Sequence, residues 1–457
     1  MTGKGSSESV SAPASPKEEP PYHILSKKQK WNLVIFVSMA GAFSPLSSNI
    51  YFPAIGTISS NLGVNDTLVA LTITVYMVVQ GIAPSIFGTF SDTCGRRITF
   101  TISLTIYTAA NLALAFTSSY PMLMVLRGLQ AAGMTGQAIG PIIGGALNSA
   151  WGFRSIFWLL FSMSVIVLSA LLIFLPETQR SIAGNGSIPL SGFHKPLAYA
   201  IKPPAAWSEH QDLSVPTKPC SPVSWKKAFG PLKYILEKDI AALLAWGAVA
   251  YTAWSMVTSS KTTMLLLDFP SLTHWQIGLC FLPNGLGCIC GSLGTSWLLD
   301  QSFRRVQERY KAEHGLSLEE SVVGRSDFPY VQGRLRLMPF FSIVLSIALA
   351  LYGPSFEFND LRREFGPNIA APLVLQFIIA FTATAIFNVN STVLIDCFPD
   401  RPASATALNN LCRCLLGAAG VGAIQPLISA VRAMRAFFIV TGAVVLFMPL
   451  ITTYITL

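Results

Sequence analysis

The segment Gly88-Thr89-Phe90-Ser91-Asp92-Thr93-Cys94-Gly95-Arg96-Arg97 decides how this chain is read. It closes an apolar run at 68–90 and precedes another at 98–117. Gly88 lets neighbouring helices approach closely, and Gly95 permits a turn with positive φ. Asp92 is suited to accept hydrogen bonds from a helix N-terminus or to pair with an arginine. Arg96 and Arg97 suit the basic rim of a membrane segment. The same spacing returns at Asp300, Arg304 and Arg305, after the apolar run 275–299. Two such matches at corresponding places in two apolar bundles predict a duplicated unit.

Working outward, further apolar runs fall at 31–55, 121–148 and 155–175, then at 240–260, 335–353, 370–395, 403–430 and 436–456. With the three already named, eleven stretches flank a Pro-, Ser- and Lys-rich interval at 176–239. The organisation expected is a polar tail at 1–30, a helical bundle at 31–175, a central loop at 176–239 and a second bundle at 240–457. Of the 457 residues, 52% are hydrophobic and only 12% charged, about half the charged share of a soluble domain. The fold class is therefore all-α, a polytopic membrane bundle whose spans each need roughly 20 apolar residues.

The net charge of +9 does not imply nucleic-acid binding, since no soluble domain is present to gather the basic residues on one face. Lys27, Lys28 and Lys30 precede the first apolar run and predict a cytoplasmic N-terminus. That run is too long for a signal-peptide core. The eight cysteines include two C-x-C pairs, which are not the spacing of common zinc sites, so they are read as small packing side chains. Neither H-E-x-x-H, G-x-S-x-G nor a Walker-type run occurs, so neither an enzyme of those classes nor a self-contained ATP-driven pump is expected, and no cofactor or metal. Within the central loop, Trp225, Phe229, Leu232 and Leu236 with Lys226, Lys227 and Lys233 pattern a short surface helix, which Pro231 interrupts.

The 88–97 segment resembles the loop signature of the major facilitator superfamily, between its second and third spans. Leu126-Arg127-Gly128-Leu129-Gln130-Ala131-Ala132-Gly133 resembles the fourth-span motif, whose arginine is associated with proton coupling. An arginine at mid-membrane costs at least about 3 kcal/mol and normally faces a polar interior. Gly140-Pro141-Ile142-Ile143-Gly144-Gly145 resembles the fifth-span antiporter motif. A closer resemblance is to fungal drug:proton antiporters of the quinidine-resistance type. It rests on Ser44–Pro53, Arg334–Pro339 and Asp396–Arg413 and runs from about residue 31 to the end. The resemblance implies two pseudo-symmetric halves that exchange access to a central site. It further implies a small amphipathic drug or secondary metabolite as cargo, protons as the driving partner, a monomer among membrane lipids and a plasma-membrane address.

Within the apolar runs, Asn49, Gln80, Asn111, Arg127, Gln130, Asn284, Gln376, Asn388, Asn409 and Arg413 are the polar candidates. Each alone reads as an interhelical contact, and Arg127 is the strongest functional one. No Asp or Glu lies deep inside a clear apolar run.

One departure from the family pattern stands out. Gly133 and Gly140 are seven residues apart, where the family places a loop and parts of two helices. The single run 121–148 replaces two spans, so a transport-inactive membrane protein acting as sensor or scaffold is the rival reading. Charge bears on this region too. If 121–148 crossed once, the intervals 176–239 and 300–336, with eight and seven Lys/Arg, would lie outside. At 1.5 Å per residue its 28 residues span about 42 Å, enough for one crossing but not two. A hairpin that leaves on the side it entered keeps the parity and predicts ten crossings with a cytoplasmic central loop. Of the N-x-[ST] sequons, Asn65-Asp66-Thr67 is expected outside and glycosylated, Asn185 inside and Asn390 within the membrane.

Overall fold

Several long helices in the computed structural model begin or end at a residue whose chemistry favours a boundary. The structure describes residues 50–132, 147–183, 190, 192–201, 237–315, 330–357, 369–398 and 402–449, with isolated positions at 27, 30–35, 38, 47, 232–233 and 235. Ten helices carry the architecture: α1 Asp66–Cys94, α2 Arg96–Ala115, α3 Tyr120–Ala132, α4 Arg154–Phe174, α5 Lys238–Asp268, α6 Leu282–Glu313, α7 Met338–Tyr352, α8 Ala370–Cys397, α9 Pro402–Val431 and α10 Ala433–Phe447. No strand occurs among the described residues. Eight of the eleven apolar runs become helices long and apolar enough to cross a membrane. The runs at 121–148 and 436–456 are represented by the shorter α3 and α10, and about half of 31–55, including 39–46, lies outside the described residues. The surface helix expected around Trp225 also lies outside them.

Local signals set the boundaries. The Asn65 side chain accepts from the Thr67 backbone N–H at 3.3 Å and caps α1. Gly95, at φ 101°, ends α1 and starts α2 in a conformation only glycine adopts without strain. Pro283 and Pro339 occupy the first turns of α6 and α7, where no backbone donor is needed.

The chain's direction follows from contacts between helices. The Arg154 guanidinium donates to the Thr117 carbonyl at 3.0 Å, and Arg97 donates to the Leu171 carbonyl at 3.3 Å. α2 and α4 therefore run antiparallel, and the start of the central loop shares an end with Gly95. At the opposite end, Tyr120 Oη donates to the Leu68 carbonyl at 2.9 Å and Asn148 Nδ2 to Thr57 Oγ1 at 2.9 Å. The stretch from Tyr120 to Asn148 thus starts and finishes at one end of the bundle, while its middle, 133–146, lies outside the described residues.

The halves meet along α1 and α9, where Asn410 Nδ2 donates to the Gln80 carbonyl at 2.9 Å and Thr74 Oγ1 to the Ala418 carbonyl at 3.4 Å. That antiparallel register puts the start of α9 at the Gly95 end. Asp396 there pairs with Arg334 at 3.3 Å, and Ser302 donates to the Gly333 carbonyl at 2.9 Å.

One expectation needs correction. Asp300, Arg304 and Arg305 lie inside the unbroken α6, not in a loop after it. Phe303 stands at the position equivalent to Gly95, so nothing there lets the helix break. A Cβ built on Gly88 meets no atom within 4 Å among the described residues. The free thiols of Cys280, Cys288, Cys412 and Cys414 are buried or partly buried, as packing side chains are, whereas Cys290 and Cys397 are exposed and Cys94 is disulfide-bonded. Asn390 is buried within α8, where its amide donates to the Leu243 carbonyl at 3.1 Å.

The close glycine contacts fall between α6 and α8. A Cβ on Gly291 would sit 2.6 Å from the Phe381 carbonyl oxygen, and one on Gly287 2.5 Å from that of Phe377. Both obstacles are backbone, so a methyl group there forces the helices apart. Gly291→Ala is expected to lower stability by about 1–3 kcal/mol. Gly442→Ala, with nothing within 4 Å of its Cβ among the described residues, should stay within about 0.5 kcal/mol of the parent. Thermal unfolding of the purified protein in detergent checks both.

Candidate functional site

Arg127 projects from α3 into the interior and is fully buried. Its Nη1 donates to Gln130 Oε1 at 2.6 Å, and Gln130 Nε2 donates to Asn111 Oδ1 at 2.7 Å. Asn111 Nδ2 in turn donates to the Tyr107 carbonyl at 2.8 Å. The guanidinium carbon lies 4.3 Å from the Tyr51 ring centre and 4.4 Å from that of Tyr76. Arg127, Gln130 and Asn111 were each legible from sequence, and the fold joins them into one relay across α2 and α3. The charge is met by neutral dipoles and aromatic faces. Among the described residues Arg127 Nε and Nη2 are buried with no hydrogen-bond partner, so two donor nitrogens remain for something else.

The facing half carries its own cations. Arg413 on α9 donates to Asn410 Oδ1 at 2.6 Å, and its guanidinium lies 4.5 Å from both the Tyr251 and Phe387 ring centres. Lys261 on α5 is also buried, and the sequence reading missed it. The lysine lowers local hydropathy, so the apolar run ends at residue 260 while α5 continues to Asp268. Among the described side chains the only buried carboxylate is Glu177, which lies beyond the end of α4. Of the remaining polar candidates, Asn284 accepts from Trp254 Nε1 at 2.9 Å and Asn409 donates to Ser391 Oγ at 3.1 Å, as structural contacts do. Asn49 lies outside the described residues.

The 88–97 motif is arranged differently from its sequence reading. Glu177 accepts the backbone N–H groups of Arg96 at 2.9 Å and Arg97 at 3.1 Å, the first turn of α2. The same carboxylate accepts from the Thr178 and Gln179 backbone N–H groups and contacts His194 Nδ1 at 3.3 Å. An acidic group at a helix N-terminus is favoured by both hydrogen bonds and the helix dipole. Arg97 is buried, not on the rim as expected. It donates to the carbonyls of Leu171, Leu172, Leu175 and Phe193, closing the C-terminus of α4. Arg96 is exposed, and the Asp92 side chain lies outside the described ones. The signal for Glu177 was the Pro176-Glu177-Thr178 run directly after an apolar stretch.

The fifth-span residues Gly140, Pro141, Gly144 and Gly145 lie outside the described residues. Asp300, Arg304 and Arg305 are exposed on α6.

The family model of the Major Facilitator Superfamily matches residues 37–136 and 129–310. The two matched segments meet where the fourth- and fifth-span motifs run together. A protein named citrate exporter 1, of Aspergillus niger, is 39% identical over 483 aligned positions, covering 98% of this chain and 90% of that protein. The alignment is longer than the 457-residue chain, so the relative carries internal residues that this chain lacks. The MFS antiporter QDR2 of Candida albicans is 28% identical over 94% of this chain and 89% of its own length. The solved structure of the human organic anion transporter MFSD10 (TETRAN) superposes with a TM-score of 0.56 at 14% identity, covering 95% of this chain and all of that one, and shows the shared fold. The chain belongs to the major facilitator superfamily, as a helical membrane transporter of small molecules.

Proposed function

We propose that this transporter exports a small organic solute while protons move inward, by alternating access between α1–α4 and α5–α10. The observation that carries the reading is Arg127, fully buried with two unused donors on a polar relay. A charge held this way is costly to the membrane protein and serves where it meets a solute. The relatives named as exporter and antiporter, which cover 94–98% of the chain, favour transport over the sensor or scaffold reading. The citrate exporter suggests an acidic solute and the quinidine-resistance relatives an amphipathic one. Buried cations with a single buried carboxylate, Glu177, among the described side chains favour the acid.

In this reading the Gly95 end is cytoplasmic, together with the N-terminus and the central loop, and the protein sits in the plasma membrane. The Glu177–Arg97 junction ties the α1–α2 break to the end of α4 and forms the cytoplasmic gate, with Gly88, Asp92 and Arg96 beside it.

Efflux from proteoliposomes with the membrane potential clamped tests coupling. Acidifying the receiving side should speed efflux severalfold, and an unchanged rate would end the proton-coupled reading. Arg127→Ala should insert normally and lose at least about tenfold in transport, about 1.4 kcal/mol. A fully active variant would make Arg127 a structural residue.

The gate has its own check. Glu177→Ala removes a buried charged acceptor from several backbone donors and should cost roughly 1.5–3 kcal/mol of stability. Glu177→Gln, which keeps one acceptor oxygen, should cost less, as read by thermal unfolding.

Orientation is checked by labelling. Phe193→Cys, exposed in the central loop, should resist a membrane-impermeant maleimide in intact cells and react after permeabilisation, with the other cysteines replaced. Asn65 is exposed at the other end, and a glycosidase-sensitive mobility shift should disappear in Asn65→Gln. Labelling in intact cells would invert the assignment.

A further inference from the structure

Lys261 lies in the last third of α5, with 1% of its surface exposed. Its ammonium donates to the Cys280 carbonyl oxygen and to Gln376 Oε1, and Nζ lies 4.8 Å from the Phe281 ring centre. All three partners are neutral. Among the described residues no carboxylate pairs with Lys261. A buried ammonium without a counter-ion is costly, and such residues in membrane spans mark solute or ion pathways. Gln376 adds a second observation: it is fully buried, and its Nε2 has no partner among the described residues. The ammonium and this amide therefore present donors side by side, an arrangement that suits a carboxylate.

Position strengthens the case. Phe281 stacks on Phe52 of the other half, with ring centres 6.3 Å apart and planes at 10°. Thr262, beside Lys261, donates to the Phe52 carbonyl at 3.3 Å. Tyr51, beside Phe52, carries Arg127 on its ring. A wedge of aromatic rings thus separates one uncompensated cation on each half of the transporter.

We propose that Lys261 and Gln376 form the anion-binding site of the C-terminal half. They take one carboxylate of a di- or tricarboxylate whose other carboxylate is held by Arg127. A carboxylate oxygen replaces Gln376 Oε1 at the ammonium, and Gln376 Nε2 donates to its second oxygen. An anion with two carboxylates bridges the halves, which a neutral or cationic drug does not do. This rests on the export reading above, and the measurements below separate the two.

Citrate is the probe, used on the full-length protein in two ways. Counterflow of radiolabelled citrate in proteoliposomes at equal pH needs no proton gradient. Thermal unfolding in detergent, with citrate compared against sodium chloride of equal ionic strength, reads binding without transport. The wild type should exchange citrate and be stabilised by it. Lys261→Met should raise half-saturation at least about tenfold and lose the stabilisation, and Lys261→Arg should stay within about threefold. Gln376→Glu supplies the ammonium with a built-in carboxylate, so it should fold and no longer respond to citrate, which keeps the test open if Lys261→Met does not fold. Citrate stabilisation lost in Lys261→Met without counterflow would support the site and remove the export reading. Counterflow of a cationic dye with no response to citrate would remove the anion site and leave transport standing. Wild-type half-saturation in Lys261→Met, or an unchanged citrate response in Gln376→Glu, overturns the proposal.

Discussion

Fixed positive charge inside a low-dielectric bundle is the constraint around which this molecule is arranged. Arg127, Lys261 and Arg413 are held by amide oxygens, a backbone carbonyl and aromatic faces, and by no carboxylate among the described residues. Neutral dipoles offset only part of the cost of removing such ions from water. Each cation is therefore placed where helices from more than one segment converge and where rings cover its faces. The aromatic residues of the interior are thus electrostatic partners as well as packing.

The same economy of polar groups governs the Gly95 end. Ending α1 and starting α2 without an intervening loop exposes N–H groups of a new helix beside carbonyls of α4. Glu177 accepts the former and Arg97 donates to the latter, so two helix termini are satisfied by one junction. The corresponding place in the second half needs no such junction. Phe303 allows α6 to continue through Asp300, Arg304 and Arg305 into solvent, so the repeat is one of sequence spacing and span order and not of local geometry.

Contacts between the halves lie beside the buried cations. α1 and α9 pack along their lengths, with Gly417 between Met77 and Tyr251. Toward the opposite end the Phe52–Phe281 stack joins the segment next to Arg127's ring partner to the ring under Lys261. That stack lies at the contact between the halves, beside the surroundings of both charges.

Composition and the run of hydrophobicity by themselves determined the membrane class, the two halves and the positions of nearly every span, because a span needs only length and apolar content. The fourth-span motif marked Arg127 and Gln130 because an arginine flanked by apolar residues is rare enough to be informative. Lys261 was invisible for the complementary reason: near the end of an apolar run, a lysine reads as the boundary of a span until the helix is seen to continue past it. Glu177 could not be assigned to the α2 N-terminus from sequence, since about eighty residues separate them and only folding brings them together. Spacing predicted a second loop at Asp300, but the backbone freedom of one residue, glycine at 95 and phenylalanine at 303, decided which of the two motifs breaks its helix. Parity of the first half was likewise a matter of tertiary structure, because apolar length constrains how far a segment reaches and contacts at its two ends establish where it returns.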